Sequence, residues 1–336
     1  MKQPALLFSL VLVLASVSAN AASEPPPPWA YGFKERPPTG TAQVPPAKAG
    51  PVSTDPTPFG LPGTGRKFTR AEITNIFGPA DYFPGDHPAP PAIVSQGNAP
   101  AVWACARCHY FNGKGRPENA GISGLPVDYF IEQMLAFRNG ERLSSDPRKA
   151  NTPLMAEFAK AMTDREIRAA AEYFGSIKWT PWIRVVETAR VPKTTISAGM
   201  YLQIPDGGDE PIGNRIVEVP VDADAVEIQR SPRVGFIAYA PPGSIKRGEA
   251  LVTTGAGKTL LCAACHGLDL KGQTLAGFGS MPGLAGRSPS YLVRQMFDIQ
   301  SGRRTGKRLE LMMPVVAGLS SDDMRDIAAY LASRTP

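Results

Sequence analysis

Two short segments, Cys105–His109 and Cys262–His266, contain all four cysteines of this 336-residue chain and two of its three histidines. In each segment two residues separate the thiols, and an imidazole follows at once. Thiols at this spacing lie about one helical turn apart and can both form thioether bonds to one porphyrin, while the histidine ligates the iron. The pattern predicts two covalently attached haem c groups. The predicted attachment and proximal residues are Cys105, Cys108, His109, Cys262, Cys265 and His266.

Other uses of paired cysteines are less consistent with these segments. Redox-active Cys-x-x-Cys pairs, structural disulfides and a four-cysteine zinc site need no histidine directly after both pairs. If both haems attach, no thiol remains for a disulfide. The haem interpretation is therefore preferred.

The N-terminus has the three parts of a secretory signal peptide: the positive charge of Lys2, the apolar run Ala5–Val17 and the small residues Ala19–Ala21. We expect residues 1–21 to be removed and the mature protein to be periplasmic, because haem c is attached outside the cytoplasm. A retained anchor is the alternative, although the apolar run is short for a membrane span. The mature chain is expected to be soluble or peripherally associated with a membrane.

The charge of the chain gives no reason to expect a nucleic-acid partner. The formal net charge is +6. Two haems bring about four ionised propionates, so the loaded protein is expected to be near neutral.

The chain repeats itself, which predicts two copies of one helical domain at residues 67–178 and 241–336. Helices that begin near Tyr129 and Tyr291 are expected to stop at Gly140 and Gly302, and both pairs of residues are 162 positions apart. A later helix in each half carries an apolar stripe at i, i+3, i+4 and i+7, this time 157 positions apart. In the first domain, Thr69 and Glu72 form a capping box that predicts a helix to about Phe77.

Two segments lie outside the repeat. Residues 22–66 are rich in proline and predict an extended arm, which is either a flexible tail or is held across a domain surface by Trp29, Tyr31 and Phe33. Residues 179–240 are rich in β-branched and aromatic residues and predict two to four short strands. We expect this insert to pack across both haem domains.

Methionine is the expected sixth ligand, because a thioether opposite histidine favours ferrous iron and fills the open coordination position. Met155 and Met312 each lie 50 positions after the first cysteine of their haem motif. Each also precedes by eight residues a helix cap, Thr163 or Ser320. This shared register selects them as metal ligands with His109 and His266.

Three alternatives to this ligand set remain. Methionines commonly fill a hydrophobic core without binding metal. Met313 is adjacent to Met312 and competes with it, and Met162 is a remote alternative in the first half. His87 is the one histidine outside the motifs, and we interpret it as a loop residue rather than a ligand.

With these residues in place, each half resembles a class I cytochrome c domain, and the whole is similar to the dihaem cytochromes c that fuse two such domains. The fold implied is mostly α, with two helical domains joined by the strand-containing insert and preceded by the proline-rich arm. The resemblance also implies a backbone carbonyl that orients each proximal histidine. Pro282 is expected to supply this carbonyl for His266. The segment that begins at Ala120 occupies the equivalent position for His109. It further implies that Gly248 crosses the C-terminal helix at Tyr330.

The expected function is electron transfer between redox partners rather than catalysis. A dehydrogenase is the expected donor, and an oxidase or another cytochrome the expected acceptor. Apart from the haem motifs, the sequence contains no glycine-rich phosphate loop and no set of nucleophile, histidine and acid. A haem subunit of a periplasmic dehydrogenase complex is one alternative, and a dihaem peroxidase or sulfur-oxidising enzyme is another.

Two groups of basic residues carry further expectations. Arg142 and Arg304 each follow a helix-stopping glycine by two residues, so we expect them near haem propionates or, alternatively, in solvent. Arg303, Arg304, Lys307 and Arg308 form a basic cluster before Met312 that predicts a docking site for an acidic partner, unless it is only a solvated surface.

Overall fold

The structure is a computed structural model that describes residues 24–336. The predicted signal peptide, residues 1–21, lies outside the described residues. Among residues 24–336, no helix has the length and apolar character needed to cross a membrane.

Helices and short strands alternate along the chain. The arm contains α1 (Pro28–Tyr31) and β1 (Pro58–Gly60). The first half contains β2 (Lys67–Thr69), α2 (Arg70–Thr74), α3 (Ala92–Ser95), α4 (Ala106–His109), α5 (Val127–Arg138), α6 (Asn151–Ala161) and α7 (Asp164–Ser176). The insert contains β3 (Ile183–Glu187), β4 (Arg190–Pro192), β5 (Thr194–Ser197), β6 (Met200–Gln203), β7 (Asp209–Pro211), β8 (Val217–Pro220), α8 (Ala223–Glu227) and β9 (Phe236–Ala240).

The second half follows the same plan as the first. It contains α9 (Ser244–Thr254), α10 (Ala263–His266), β10 (Gly272–Leu275), β11 (Gly279–Pro282), α11 (Pro289–Gln300), α12 (Met313–Val316) and α13 (Ser321–Ser333), with short 3₁₀ turns at Gly255–Gly257 and Lys307–Leu311. Helices α5 and α11 have 12 residues each, and α7 and α13 have 13. Their ends match at the two repeat spacings, so the predicted repeat is present as structure.

Local capping explains where three helices begin. The side chains of Thr69, Thr163 and Ser320 each accept a hydrogen bond from the backbone N–H three residues later, and the acidic residue there bonds back to the cap. These reciprocal bonds satisfy N–H groups that a helix start leaves free. Helix α2 nevertheless ends at Thr74, earlier than predicted, because the Asn75 side chain accepts a hydrogen bond from Phe77 N at 2.9 Å and turns the chain.

The insert has more strands than the sequence predicts, seven instead of two to four. Strand β9 pairs parallel to β3 and antiparallel to β8, while β4–β7 and β5–β6 form two small antiparallel pairs. The extra strands were missed because segments such as Arg190–Pro192 are too short and polar to show an alternating pattern. As predicted, the insert packs on both halves: Val217 joins the second half's core, and Phe236 packs with Tyr110 of the first.

The arm is bound to the folded protein at its first helix. Trp29 and Tyr31 are buried, and the Tyr31 hydroxyl donates a 2.7 Å hydrogen bond to Asp298 on α11. Phe33 packs against the same core. Of the two interpretations of the arm, the structure supports the held segment.

Helices α9 and α13 cross in contact at Gly248. A Cβ atom at this position would collide with the backbone carbonyl of Asp326 and lie 2.9 Å from Tyr330 Cβ. The expected contact between Gly248 and Tyr330 is therefore confirmed, and its cause is that only glycine permits the two backbones to approach so closely.

Candidate haem sites

Short helices present the two proximal histidines. Helices α4 and α10 each have four residues. In each, the backbone N–H of the histidine donates a hydrogen bond to the backbone carbonyl of the first cysteine of the motif, at 3.0 Å for His109 and 2.9 Å for His266. This single turn places both thiols and the imidazole of each motif within one local unit. The geometry follows from the Cys-x-x-Cys-His spacing itself.

A backbone carbonyl orients each imidazole. His109 Nδ1 donates to the carbonyl of Ala120 at 2.8 Å, and His266 Nδ1 donates to that of Pro282, also at 2.8 Å. Both expected carbonyl contacts are confirmed, and the first persists without a proline. A proton fixed on Nδ1 leaves the Nε2 lone pair free for a metal.

Burial keeps both imidazoles in the ligating form. It lowers the pKa of His109 and of His266, against the opposing effect of the carbonyl hydrogen bonds. Beside His109, the charge of Arg142 lowers the pKa further. A neutral imidazole is the species that binds iron.

A large cavity lies beside His109. Its volume is about 1380 Å³ including the open mouth, and Cys105, Cys108 and Met155 line it together with the imidazole. Most of the other lining side chains are apolar, as suits a porphyrin. Two thiols can attach a porphyrin covalently, and one imidazole nitrogen and one thioether sulfur can ligate its iron, so the residues fit a haem c group.

The candidates for the sixth ligand occupy different environments. Met155 on α6 and the remote alternative Met162 both line the first cavity. In the second half, Met312 is partly buried and packs against the same core as Cys262, whereas 41% of Met313 is exposed. Ligation by Met155 and Met312 stays a prediction.

His87 has a structural position away from the cavity. Its ring stacks on Phe111 at 5.1 Å between centroids, lies 3.0 Å from the Tyr173 hydroxyl, and faces Asp81 at 3.3 Å through Nε2. These contacts attach the loop before the first haem motif to α7. The structure agrees with the loop interpretation.

Arg142 and Arg304 lie between the two halves. Arg142 bonds to the Tyr291 hydroxyl at 3.2 Å, and Arg304 bonds to the Tyr129 hydroxyl at 2.9 Å, so each guanidinium reaches the tyrosine of the other half. Both arginines also bond to Gln133 and Gln295. We call these six residues, Tyr129, Gln133, Arg142, Tyr291, Gln295 and Arg304, the paired interface.

Burial in the paired interface excludes one of the two expected positions of these arginines, the one in solvent. Arg142 and Arg304 are 9% and 5% exposed, so the solvent alternative is wrong. Arg142 lines the first cavity, which is compatible with a nearby propionate. Contact of either arginine with a propionate stays a prediction.

The basic cluster is not a continuous docking face. Arg304 is buried in the paired interface, and Arg308 bonds to Asp128 at 3.0 Å and Glu132 at 2.5 Å on α5. Only Arg303 and Lys307 of the four are exposed. The four-residue prediction is wrong because contacts between the halves remove two of its members from the free surface: Arg304 through hydrogen bonds and Arg308 through ion pairs.

Sequence reasoning missed a group of charged side chains at the first cavity. Glu118, Lys149, Arg294 and Asp298 all line it. They come from distant segments, so no local pattern marks them. Their proximity exists only in the folded chain.

Comparison with known proteins supports the haem assignment. The family model described as Cytochrome c matches residues 245–335. Cytochrome c-554(548) of Halomonas halodenitrificans is 44% identical over 73 residues, which cover 22% of this chain and 83% of that protein. The chain belongs to the cytochrome c family. It is a dihaem c-type cytochrome, with covalent haem c and one Cys-x-x-Cys motif in each half.

Two further relatives of this cytochrome match different lengths of it. Cytochrome c4 of Pseudomonas aeruginosa is 45% identical over 80 residues, which are 24% of this chain and only 36% of that protein. The thiosulfate dehydrogenase electron acceptor of Thiomonas intermedia is 25% identical over 248 residues, which are 70% of this chain and 84% of that protein. The second similarity extends well beyond a single haem domain.

Proposed function

We propose that this dihaem cytochrome transfers electrons between protein partners in the periplasm, with His109 and Met155 ligating one iron and His266 and Met312 the other. The observation that carries the proposal is the placement of Met155 in the same cavity as His109, Cys105 and Cys108. Bound haem supplies a one-electron couple at its iron. With Met155 and Met312 as ligands, a thioether would favour ferrous iron and leave no open position for a small substrate.

The protein residues hold each site rigid. The carbonyls of Ala120 and Pro282 fix the imidazole rings, and mostly apolar side chains line the cavity beside His109. A rigid ligand set suits electron transfer, because little has to move when the iron charge changes. Between the sites, the paired interface joins the two halves through buried hydrogen bonds rather than a flexible linker.

The second half offers the more accessible route for a partner. Leu260, Leu261 and Leu268 flank its haem motif and are exposed, as is Met313 beside the proposed ligand. Exposed apolar residues of this kind mark interaction sites when they cluster. Arg303 and Lys307 add positive charge nearby, which favours an acidic redox partner.

A dehydrogenase is the donor that the relatives favour. The Thiomonas intermedia relative is named a thiosulfate dehydrogenase electron acceptor, and it matches 70% of this chain. This supports acceptance of electrons from a dehydrogenase, either as a separate carrier or as a subunit. Export through the predicted signal peptide would place both proteins in one compartment.

Ligand substitution tests the proposal. Each oxidised haem should show the near-infrared charge-transfer band of methionine-ligated iron. Met155→Ala should abolish the band of the first haem only, lower its potential and admit carbon monoxide. Met312→Ala with Met313→Ala should do the same to the second haem.

Matched controls are Met162→Ala and Met313→Ala alone, which should keep both bands. The proposal fails if the unmodified protein lacks either band, binds carbon monoxide at neutral pH, or turns over peroxide or a sulfur substrate at one haem.

A further inference from the structure

Lys149 is a buried lysine that lines the first haem cavity. Its side chain is 6% exposed and borders the same space as His109. Across residues 24–336, no carboxylate oxygen lies within 4.0 Å of its ammonium nitrogen. Buried charges are ordinarily paired, so this ammonium lacks the partner that its environment requires.

The two segments outside the repeat bury Lys149. The turn between β5 and β6 passes over it: a Cβ atom on Gly199 would lie 3.7 Å from Lys149 Nζ and 3.4 Å from Glu118 Cβ. Gly32, which ends α1 of the arm, packs directly against the backbone of Gly199. The arm therefore holds the insert's turn over the lysine.

None of the nearby carboxylates forms an ion pair with Lys149. Glu118 pairs with Arg116 at 2.6 Å through Oε1, while its Oε2 is buried without a hydrogen-bond partner, and Asp146 pairs with Arg148 at 2.7 Å. Asp298 accepts hydrogen bonds from the Tyr31 hydroxyl at 2.7 Å and from Ser145 N at 2.8 Å. The ammonium of Lys149 therefore remains available to an anionic group that enters the cavity.

We propose that Lys149 is a positioning residue for the first haem, whose ammonium pairs with a haem propionate and whose charge raises that haem's reduction potential. Propionates are the anionic groups of the cofactor that this cavity takes. A positive charge held in a low-dielectric site stabilises the reduced iron relative to the oxidised iron. The part concerning potential rests on the proposed electron-transfer function.

The same lysine makes the first haem sensitive to pH. Burial lowers the pKa of Lys149 to about 7; the charge of Arg294 lowers it too, while Glu118, Asp146 and Asp298 act in the opposite direction. A propionate beside the ammonium would raise this pKa again, so in the loaded protein the ammonium should lose its charge, and the potential of the first haem should fall, at a pH above this value. At the spacing of 157 that relates Met155 to Met312, the position that matches Lys149 is Gly306, and among the described residues of the second half no lysine is buried.

Spectroelectrochemical titration of the full-length holoprotein from about pH 6 to 10 tests this inference. The first haem is assigned with the variant Cys262→Ala/Cys265→Ala, which retains it alone. In the unmodified protein the first potential should fall with rising pH and the second should change less. Lys149→Gln should lower the first potential at the acidic end and remove its slope.

Two variants separate charge from packing. Lys149→Arg keeps a positive charge at all these pH values, so it should restore the higher potential without the slope. Lys160→Gln, at an exposed position on α6, should leave both potentials unchanged.

A first-haem potential without pH dependence in the unmodified protein, or one that Lys149→Gln leaves unchanged, would overturn the inference. Loss of the methionine band in the unmodified protein would instead count against the proposed ligand set, so the two failures are distinguishable.

Discussion

The two halves share their haem-binding helices but differ in what packs against the C-terminal helix. In the second half, the 11-residue α9 crosses α13 at Gly248. In the first half, α3 has only four residues and begins after Pro91, which lies 157 positions before Gly248. A proline at a helix start fixes the backbone and cannot continue a helix backwards. The first half therefore has a four-residue helix where the second half has one of 11 residues.

The segments outside the repeat change the surroundings of the first site. The arm and the insert cover it and bury Lys149, Arg294 and Asp298 near the cavity. The second site instead has exposed apolar neighbours, among them Leu268, which is 96% exposed. The two haem scaffolds are thus alike, and the segments outside the repeat make their environments unequal.

The largest expected effect comes from Gly248→Ala. The added Cβ collides with the Asp326 carbonyl, so we expect the second half to lose about 3 kcal/mol of stability. Pro91→Ala, at the matching position of the first half, and the exposed Glu249→Ala should change stability by less than about 0.5 kcal/mol. Denaturant unfolding followed at each haem measures this, and equal losses from Gly248→Ala and Pro91→Ala would contradict the comparison.

A smaller effect is expected from the paired interface. Arg142→Gln or Arg304→Gln removes buried hydrogen bonds between the halves and should cost about 2 kcal/mol in either case. Only Arg142 lines the first cavity, so Arg142→Gln should also lower the first haem's potential. Thermal unfolding and redox titration of both variants test this. Unchanged potentials in both would remove the propionate expectation.

The smallest effect is expected in the basic cluster, where Arg308 forms ion pairs between the halves and Lys307 is available for docking. Arg308→Gln breaks partly exposed pairs with Asp128 and Glu132 and should cost about 1 kcal/mol. Lys307→Gln should not affect stability but should weaken the salt dependence of electron exchange with an acidic partner. Unfolding measurements and stopped-flow kinetics at several salt concentrations separate these results. A rate independent of salt in the unmodified protein would exclude the docking role.

Local sequence determined the haem motifs, the capped helices and the repeat. The turn that presents two thiols and an imidazole is formed by residues adjacent in the sequence. The reciprocal capping bonds at Thr163 and Ser320 likewise join residues only three positions apart. The correspondence between α5 and α11 is also evident from the sequence, because their apolar and glycine positions recur at a fixed spacing. Helix α2 ends before Phe77, the end that its capping box predicts, although the Asn75 turn that stops it is also local.

Only the tertiary structure decided how the repeated parts are joined and covered. Arg142 and Arg304 occupy matching positions of the sequence repeat. That each of them bonds to the tyrosine of the other half depends on how the halves meet. No sequence motif identifies Lys149, because the arm and the insert, which bury it, are distant from it in the chain. Interactions of this kind depend on close approach across long sequence separations, and a pattern along the chain does not encode such distances.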